Sequence, residues 1–222
     1  MLEYLAGVFD AKARFFEKRG VFKVTLNLRD TDYLIWIYEK FCSGELIKNK
    51  KTSSIIWRQE QIYPLEQLPL RLKDRQVKNI CGFLKADLDV FTRRKVLQDV
   101  RKSLKTKYSF SSTPPLPYMA GFFDVSMCVT FVKYKPRINV ICSRKDLLET
   151  FQQILGAGSI YRLSKTYNLT FYHSGEVFNF VQLFYPLVHC KKKHFSILYD
   201  LFADLIAADE AKSLISRLNS TV

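Results

Sequence analysis

Lys23, Thr25, Asn27 and Arg29 stand at every second position, interleaved with Phe22, Val24, Leu26 and Leu28. A period of two gathers the polar set on one face of a β-strand and the apolar set on the other. Lys and Arg in such a row neutralise phosphates, while Thr and Asn hydrogen-bond base edges, and no carboxylate interrupts them. A second row forms where Lys133 and Lys135 leave one strand and Arg137 and Asn139 share a face of the next. Further candidate nucleic-acid-binding residues are Arg14, Lys48, Lys50, Lys51, Arg58, Lys73, Arg75, Arg162, Lys165 and the run Lys191-Lys192-Lys193. Arg93, Arg94, Lys95, Arg101 and Lys102 fall in one stretch that, if helical, carries a strong positive field. The chemistry these patterns suit is salt-sensitive polyanion binding.

Composition agrees. The chain has 222 residues with Lys+Arg 35 against Asp+Glu 21, a formal charge of +14. Hydrophobic residues are 48% and charged residues 25%, a globular composition that excludes a disordered basic tail. The partner expected is nucleic acid first and an anionic membrane surface second. Five cysteines form no C-x-x-C pair, so neither a disulfide framework nor a zinc knuckle is expected, and the environment reads as reducing. Cys190 and His194 lie four apart but have no second pair, so no metal or cofactor is expected. The one long stretch of uncharged residues, 108–123, contains Pro114, Pro115 and Pro117, which excludes a membrane span. Leu2-Glu3-Tyr4-Leu5 reads as folded structure rather than a signal or transit peptide.

The elements that position these residues occur twice. Tyr4-Leu5-Ala6-Gly7-Val8-Phe9-Asp10 returns as Tyr118-Met119-Ala120-Gly121-Phe122-Phe123-Asp124, an offset of 114 residues. The same offset carries Asp32 onto Asp146, Gly44 onto Gly158 and Trp57 onto Phe171, and near residue 72 it grows to 118. Each copy predicts a short apolar helix, a β-hairpin, a helix, a second strand pair after Gly44 or Gly158, and a late basic helix. The fold class is therefore α+β: two pseudo-symmetric αββαββα repeats with antiparallel sheets, a pseudo-dimeric monomer. The expected boundaries are a first repeat at 1–88, a basic helix and Ser/Pro-rich linker at 89–117, and a second repeat at 118–222.

Leu5-Ala6-Gly7-Val8-Phe9-Asp10-Ala11 and Met119-Ala120-Gly121-Phe122-Phe123-Asp124-Val125 resemble the LAGLIDADG motif of homing endonucleases and intron maturases. The resemblance implies that the motif helices pack side by side through Ala6, Gly7, Ala120 and Gly121, and that the sheets form a saddle over nucleic acid. It assigns Asp10 and Asp124 a structural place. It also implies two metal-binding acids for phosphodiester cleavage, one after each motif. Lys12 and Ser126 stand at those positions. An ammonium repels a divalent metal and a hydroxyl is a weak neutral ligand, so both catalytic positions read as degenerate, with no catalytic residue and no metal. Lys12 either neutralises a phosphate at that place or is simply tolerated there.

The expected function is a catalytically inactive LAGLIDADG-type protein that binds structured organellar RNA, either maturase-like or as a ribosomal-RNA-stabilising subunit of a ribonucleoprotein. RNA is preferred over DNA. The alternative is an active, site-specific double-strand DNA homing endonuclease with non-standard metal ligands. The resemblance alone suggests a mitochondrion or chloroplast.

Overall fold

The computed structural model describes residues 1–49, 52–106 and 113–221. The chain divides into two compact units, Met1–Pro114 and Pro115–Val222. In unit 1, α1 (Leu2–Lys12) leads into β1 (Arg14–Lys18) and β2 (Val21–Leu28), then α2 (Thr31–Phe41), β3 (Glu45–Lys48) and β4 (Ser53–Arg58). A 3₁₀ stretch (Gln59–Gln67), α3 (Asp74–Lys85) and α4 (Val90–Lys105) complete it. Unit 2 repeats the order with α5 (Leu116–Ser126), β5 (Met127–Val132), β6 (Lys135–Cys142), α6 (Lys145–Leu155), β7 (Ser159–Leu163) and β8 (Thr166–Phe171). It ends in α7 (Ser174–Phe184), α8 (Lys192–Phe202) and α9 (Ala208–Thr221).

Each unit holds one four-stranded antiparallel sheet, ordered β1-β2-β4-β3 and β5-β6-β8-β7. The identical order establishes the repeat. The late basic helices are α3 and α8, whose first residues, Asp74 and Lys192, keep the offset of 118. The additional elements are the 3₁₀ stretch in unit 1, α7 in its place in unit 2, and one further helix at the end of each unit. Among the described residues no helix is long and apolar enough to cross a membrane.

One face of each sheet is covered by helices because its strand residues alternate. Phe22, Val24 and Leu26 are fully buried there, with Phe22 edge-on to Phe83 of α3 at 5.4 Å. Phe9 of α1 packs against Trp57 of β4 and Phe41 of α2, both at 5.2 Å. In unit 2, Phe123 of α5 meets Phe151, Phe180 and Phe184, and Phe171 meets Phe180 at 4.7 Å. Each fully buried ring stabilises its unit by about 1.5–3 kcal/mol.

Glycine in the left-handed conformation is the usual end of a helix, and Gly44 and Gly158 follow α2 and α6 closely in sequence. The left-handed caps are instead Cys42 (φ 47°) and Gly156 (φ 62°). Gly44 and Gly158 lie two residues on, at φ 93° and 86°, where the chain passes over the large aromatic of β4 or β8. A Cβ at Gly44 would stand 3.0 Å from the Trp57 indole nitrogen, and one at Gly158 would stand 3.0 Å from the Phe171 ring. Both the conformation and the contact therefore require glycine.

The basic stretch after residue 89 is helical as expected. Asp89 caps α4 by accepting from the backbone N–H groups of Phe91 and Thr92. The helix lies against α3, within unit 1. Gln76 of α3 donates to the carbonyls of Ser103, Leu104 and Thr106 at its far end.

Candidate nucleic-acid interface

The faces turned away from the helices are fixed by strand register. In unit 1, Arg14, Thr25 and Ile56 lie side by side across β1, β2 and β4, and Lys23 lies beside Arg58 and Asn27 beside Ser54. The row Lys23, Thr25, Asn27 thus shares one open face, with Arg29 exposed just beyond the strand. The centre of this face is less polar than the strand pattern suggested. Thr25 is only 6% exposed, its hydroxyl has no hydrogen-bond partner, and its cross-strand neighbour Ile56 is 5% exposed. The face also carries one acid, Glu45, paired with the Arg58 guanidinium at 3.4 Å.

In unit 2, Lys135, Arg137 and Asn139 alternate with buried Pro136, Ile138 and Val140. Three strands contribute a connected polar cluster here. The Asn139 amide donates to Thr130 Oγ1 on β5 at 3.0 Å. Its Oδ1 accepts from Asn168 Nδ2 and Thr170 Oγ1 on β8, both at 3.1 Å. Asn139, Asn168 and Thr170 line a groove of about 460 Å³ whose sides include Arg137, Tyr161 and Tyr172. A neighbouring groove of about 480 Å³ shares Arg137 and Tyr172 and adds Lys133, Tyr134, Lys135 and His173. Lys165 is exposed in the β7–β8 turn. Lys23 and Arg137 keep the offset of 114, as do Thr25 and Asn139, so a cation and a polar residue recur at the same register.

Several predicted residues lie elsewhere. Lys48 and Arg162 each sit in the strand register of helix-side residues, beside Ser53 and Tyr167, so neither belongs to an open face. Lys73 Nζ donates to the carbonyls of Phe9 at 2.7 Å and Asp10 at 2.5 Å, closing the C-terminus of α1. Arg101 reaches the largely buried Glu17 carboxylate on the helix side of β1 at 2.6 Å, and this bond holds the Glu17 pKa below its usual range. Arg93 covers the Phe83 ring and Lys102 pairs with Asp99, so α4 turns its charge away from the open face of β1 and β2. Arg94 and Lys95 are exposed on α4, and Arg75 is exposed in the first turn of α3. Lys191 precedes α8, Lys192 lies over the Tyr185 ring and Lys193 is exposed. Lys50 and Lys51 lie outside the described residues.

The sequence reading missed Thr130, Tyr161, Asn168, Thr170 and Tyr172. The signal was present: Asn168, Thr170 and Tyr172 alternate with Leu169 and Phe171, the same period of two that exposed the β2 row.

The motif helices end in a matched arrangement. Asp10 accepts from the backbone N–H groups of Arg71, Leu72 and Lys73 at 2.8–3.0 Å. Asp124 accepts from those of His189, Cys190 and Lys191 at 2.6–2.8 Å. The donors correspond at an offset of 118, so each carboxylate ties its motif helix to the chain entering the late basic helix. Ala6, Gly7, Ala120 and Gly121 are buried. Lys12 is the exposed last residue of α1, where its charge suits the negative end of the helix. Ser126 ends α5 and donates back to the Phe122 carbonyl at 2.5 Å.

These groups do not fit the metal that the sequence resemblance implied. One position offers an ammonium, the other a hydroxyl bonded within its own helix, and both nearby carboxylates are engaged by three amides each. Among the described residues no group of three or more His, Cys, Asp and Glu could hold a metal ion.

No family model matches the sequence, and no curated protein matches it. Solved structures match almost end to end. I-SmaMI bound to an uncleaved DNA target in the presence of calcium ions is 13% identical over 99% of both chains, with a TM-score of 0.71. The LAGLIDADG meganuclease I-AabMI bound to uncleaved DNA is 15% identical over 100% of this chain and 97% of its own, TM-score 0.70. The LAGLIDADG homing endonuclease I-GzeII in complex with its DNA target is 17% identical over 97% and 96%, TM-score 0.68. The chain therefore has the LAGLIDADG homing-endonuclease fold in its double-motif, single-chain form. The expectation of a catalytically inactive, RNA-binding, maturase-like or ribosomal protein is corrected at this point. I-SmaMI, I-AabMI and I-GzeII were each solved on DNA, and this favours the DNA endonuclease alternative.

Proposed function

We propose that this protein binds a specific duplex DNA target with the open faces of its two sheets, as a DNA-recognition protein of the homing-endonuclease type. One observation carries the reading: a cation and a polar residue, Lys23 with Thr25 and Arg137 with Asn139, recur at the same register of both sheets. They do so in a fold shared with endonucleases solved on DNA. The major groove admits paired β-strands, and side chains two apart on one face can address successive phosphates and base edges. Within this reading, cleavage as an endonuclease requires metal-binding acids from positions other than Lys12 and Ser126.

A second reading, DNA binding without cleavage, is favoured by the ends of the motif helices, where Lys12, Ser126, and the engaged Asp10 and Asp124 offer a metal no free carboxylate pair.

The test starts by selecting bound duplexes from a randomised pool and comparing the enriched duplex with a structured RNA of equal length. Duplex affinity at least tenfold above RNA is expected, and equal or tighter RNA binding would overturn the proposal. Incubating the enriched duplex with Mg²⁺ separates the two readings. Site-specific double-strand breaks establish the endonuclease; an intact, tightly bound duplex establishes the second reading. In that second case, cleavage gained by Lys12→Asp with Ser126→Asp shows that these two positions were what cleavage lacked.

A further inference from the structure

We infer that base discrimination is concentrated in the sheet of unit 2, with Asn139 and Asn168 as its specificity-determining residues, while the sheet of unit 1 supplies mainly affinity. The inference rests on the duplex-DNA reading above.

The two open faces share a register but differ in what stands at each place. Asn139 occupies the centre in unit 2 and Thr25 the centre in unit 1, each beside a β1- or β5-strand residue and a β4- or β8-strand residue. Beside Asn139 stands Thr170; beside Thr25 stands Ile56. Where unit 2 has Thr130 facing Arg137, unit 1 has Phe16 facing Lys23. Asn168 is replaced by Ser54, and Tyr172 by Arg58, whose guanidinium is already paired with Glu45.

The consequences are chemical. In unit 2, Asn139 bridges Thr130, Asn168 and Thr170, so all four side chains are held in one arrangement before any ligand arrives. Thr130 accepts from Asn139 and keeps its hydroxyl proton for a partner; Asn168 gives one amide proton and keeps the other. Asn168 Oδ1, on a residue lining the groove, is a buried acceptor with no partner in the protein. Thr25 Oγ1 in unit 1 is likewise buried and unpartnered, so the difference between the faces lies in the held amides and hydroxyls of unit 2. Arg137, on the same face two residues from Asn139, adds a guanidinium of the geometry that recognises guanine. Held donors and acceptors reject a wrong partner strongly.

The centre of unit 1 offers Ile56, Phe16 and one buried hydroxyl. Apolar contact separates similar partners only weakly. Its cations, Lys23 and Arg14, stand beside Phe16 and Thr25, which give them no side-chain amide to orient against.

The experiment sequences the duplexes that the full chain enriches from a randomised pool and repeats the selection with variants. Information is expected to concentrate in one half of the recovered site. Asn168→Ala should flatten two or three adjacent positions there and lower discrimination between the best duplex and its single substitutions roughly tenfold. Asn139→Thr, which installs the unit 1 residue at that register, serves as a second variant should the first fail to fold. Ser54→Ala, at the register that Asn168 holds in unit 2, should change the profile far less than Asn168→Ala. An even profile that Ser54→Ala alters as much as Asn168→Ala would overturn the inference. So would loss of affinity for all duplexes alike with the profile intact. Failure to enrich any duplex would instead overturn the duplex reading, together with what rests on it.

Discussion

Asp10 and Asp124 show how one residue type can serve the fold at a place where the sequence suggests chemistry. Each stands two residues before the end of a motif helix, about 200° around it from the terminal side chain. Each is buried and receives three backbone N–H groups from a loop more than sixty residues later. Ionised acceptors strengthen such bonds, and an amide in their place would turn an NH₂ toward an N–H. Asp124→Asn should therefore lower unfolding free energy by about 3 kcal/mol, measured by urea denaturation. A variant as stable as the parent would show that the cradle contributes nothing. Lys73 teaches the same lesson from the opposite charge. Its sequence context suits a nucleic-acid-binding cation, yet its ammonium closes α1 through the carbonyls of Phe9 and Asp10. Nothing near residue 73 in the chain reveals a partner sixty-four residues away.

Among the elements, the strands were the most legible, because alternation is a local property. The rows of β2 and β6 fall on the faces that their sequences indicate. Short β3 and β7 gave too few residues to fix a face, and only pairing with β4 and β8 placed Lys48 and Arg162 on the helix side. At the other end of unit 2, α8, α9 and β5 meet at a buried histidine. His194 Nε2 lies 3.2 Å from Asn219 Oδ1, and Asn219 donates to the Val129 carbonyl of β5 at 2.9 Å. Burial pushes the imidazole pKa down to about 4, the Lys191 ammonium adds to this, and the Asn219 bond opposes it. The unfolded imidazole titrates near its ordinary value of about 6.5. Stability from the neutral histidine is therefore complete above about pH 6.5 and is lost as pH falls toward 4, by on the order of 3 kcal/mol. Urea midpoints at neutral pH and near pH 5 should converge for His194→Phe relative to the parent. An unaltered pH dependence in the variant would refute the assignment.

At the scale of the whole molecule, the charge of +14 divides into cations that face outward from the sheets and cations that serve the fold. Arg14, Lys23, Lys135 and Arg137 are on open faces, whereas Arg101 and Lys73 are engaged by Glu17 and by α1. Binding to the enriched duplex should weaken linearly in log affinity against log salt, by about 0.9 per phosphate neutralised. Lys23→Ala and Lys135→Ala should each reduce that slope by about one, while Arg101→Ala should leave it unchanged and lower the denaturation midpoint. A slope reduced equally by Arg101→Ala would place α4 at the phosphates after all. The sequence by itself determined the repeat, the αββαββα order, the two motif helices and the polar row of β2, because each is written in residues close along the chain or at one fixed offset. Only the tertiary structure decided which cations reach an open face, why Gly44 and Gly158 must be glycine, and that Asn139, Asn168 and Thr170 form one cluster. The physical reason is that a side chain's role depends on its partners, and those arrive from strands and loops distant in sequence, in a register that local alternation does not encode.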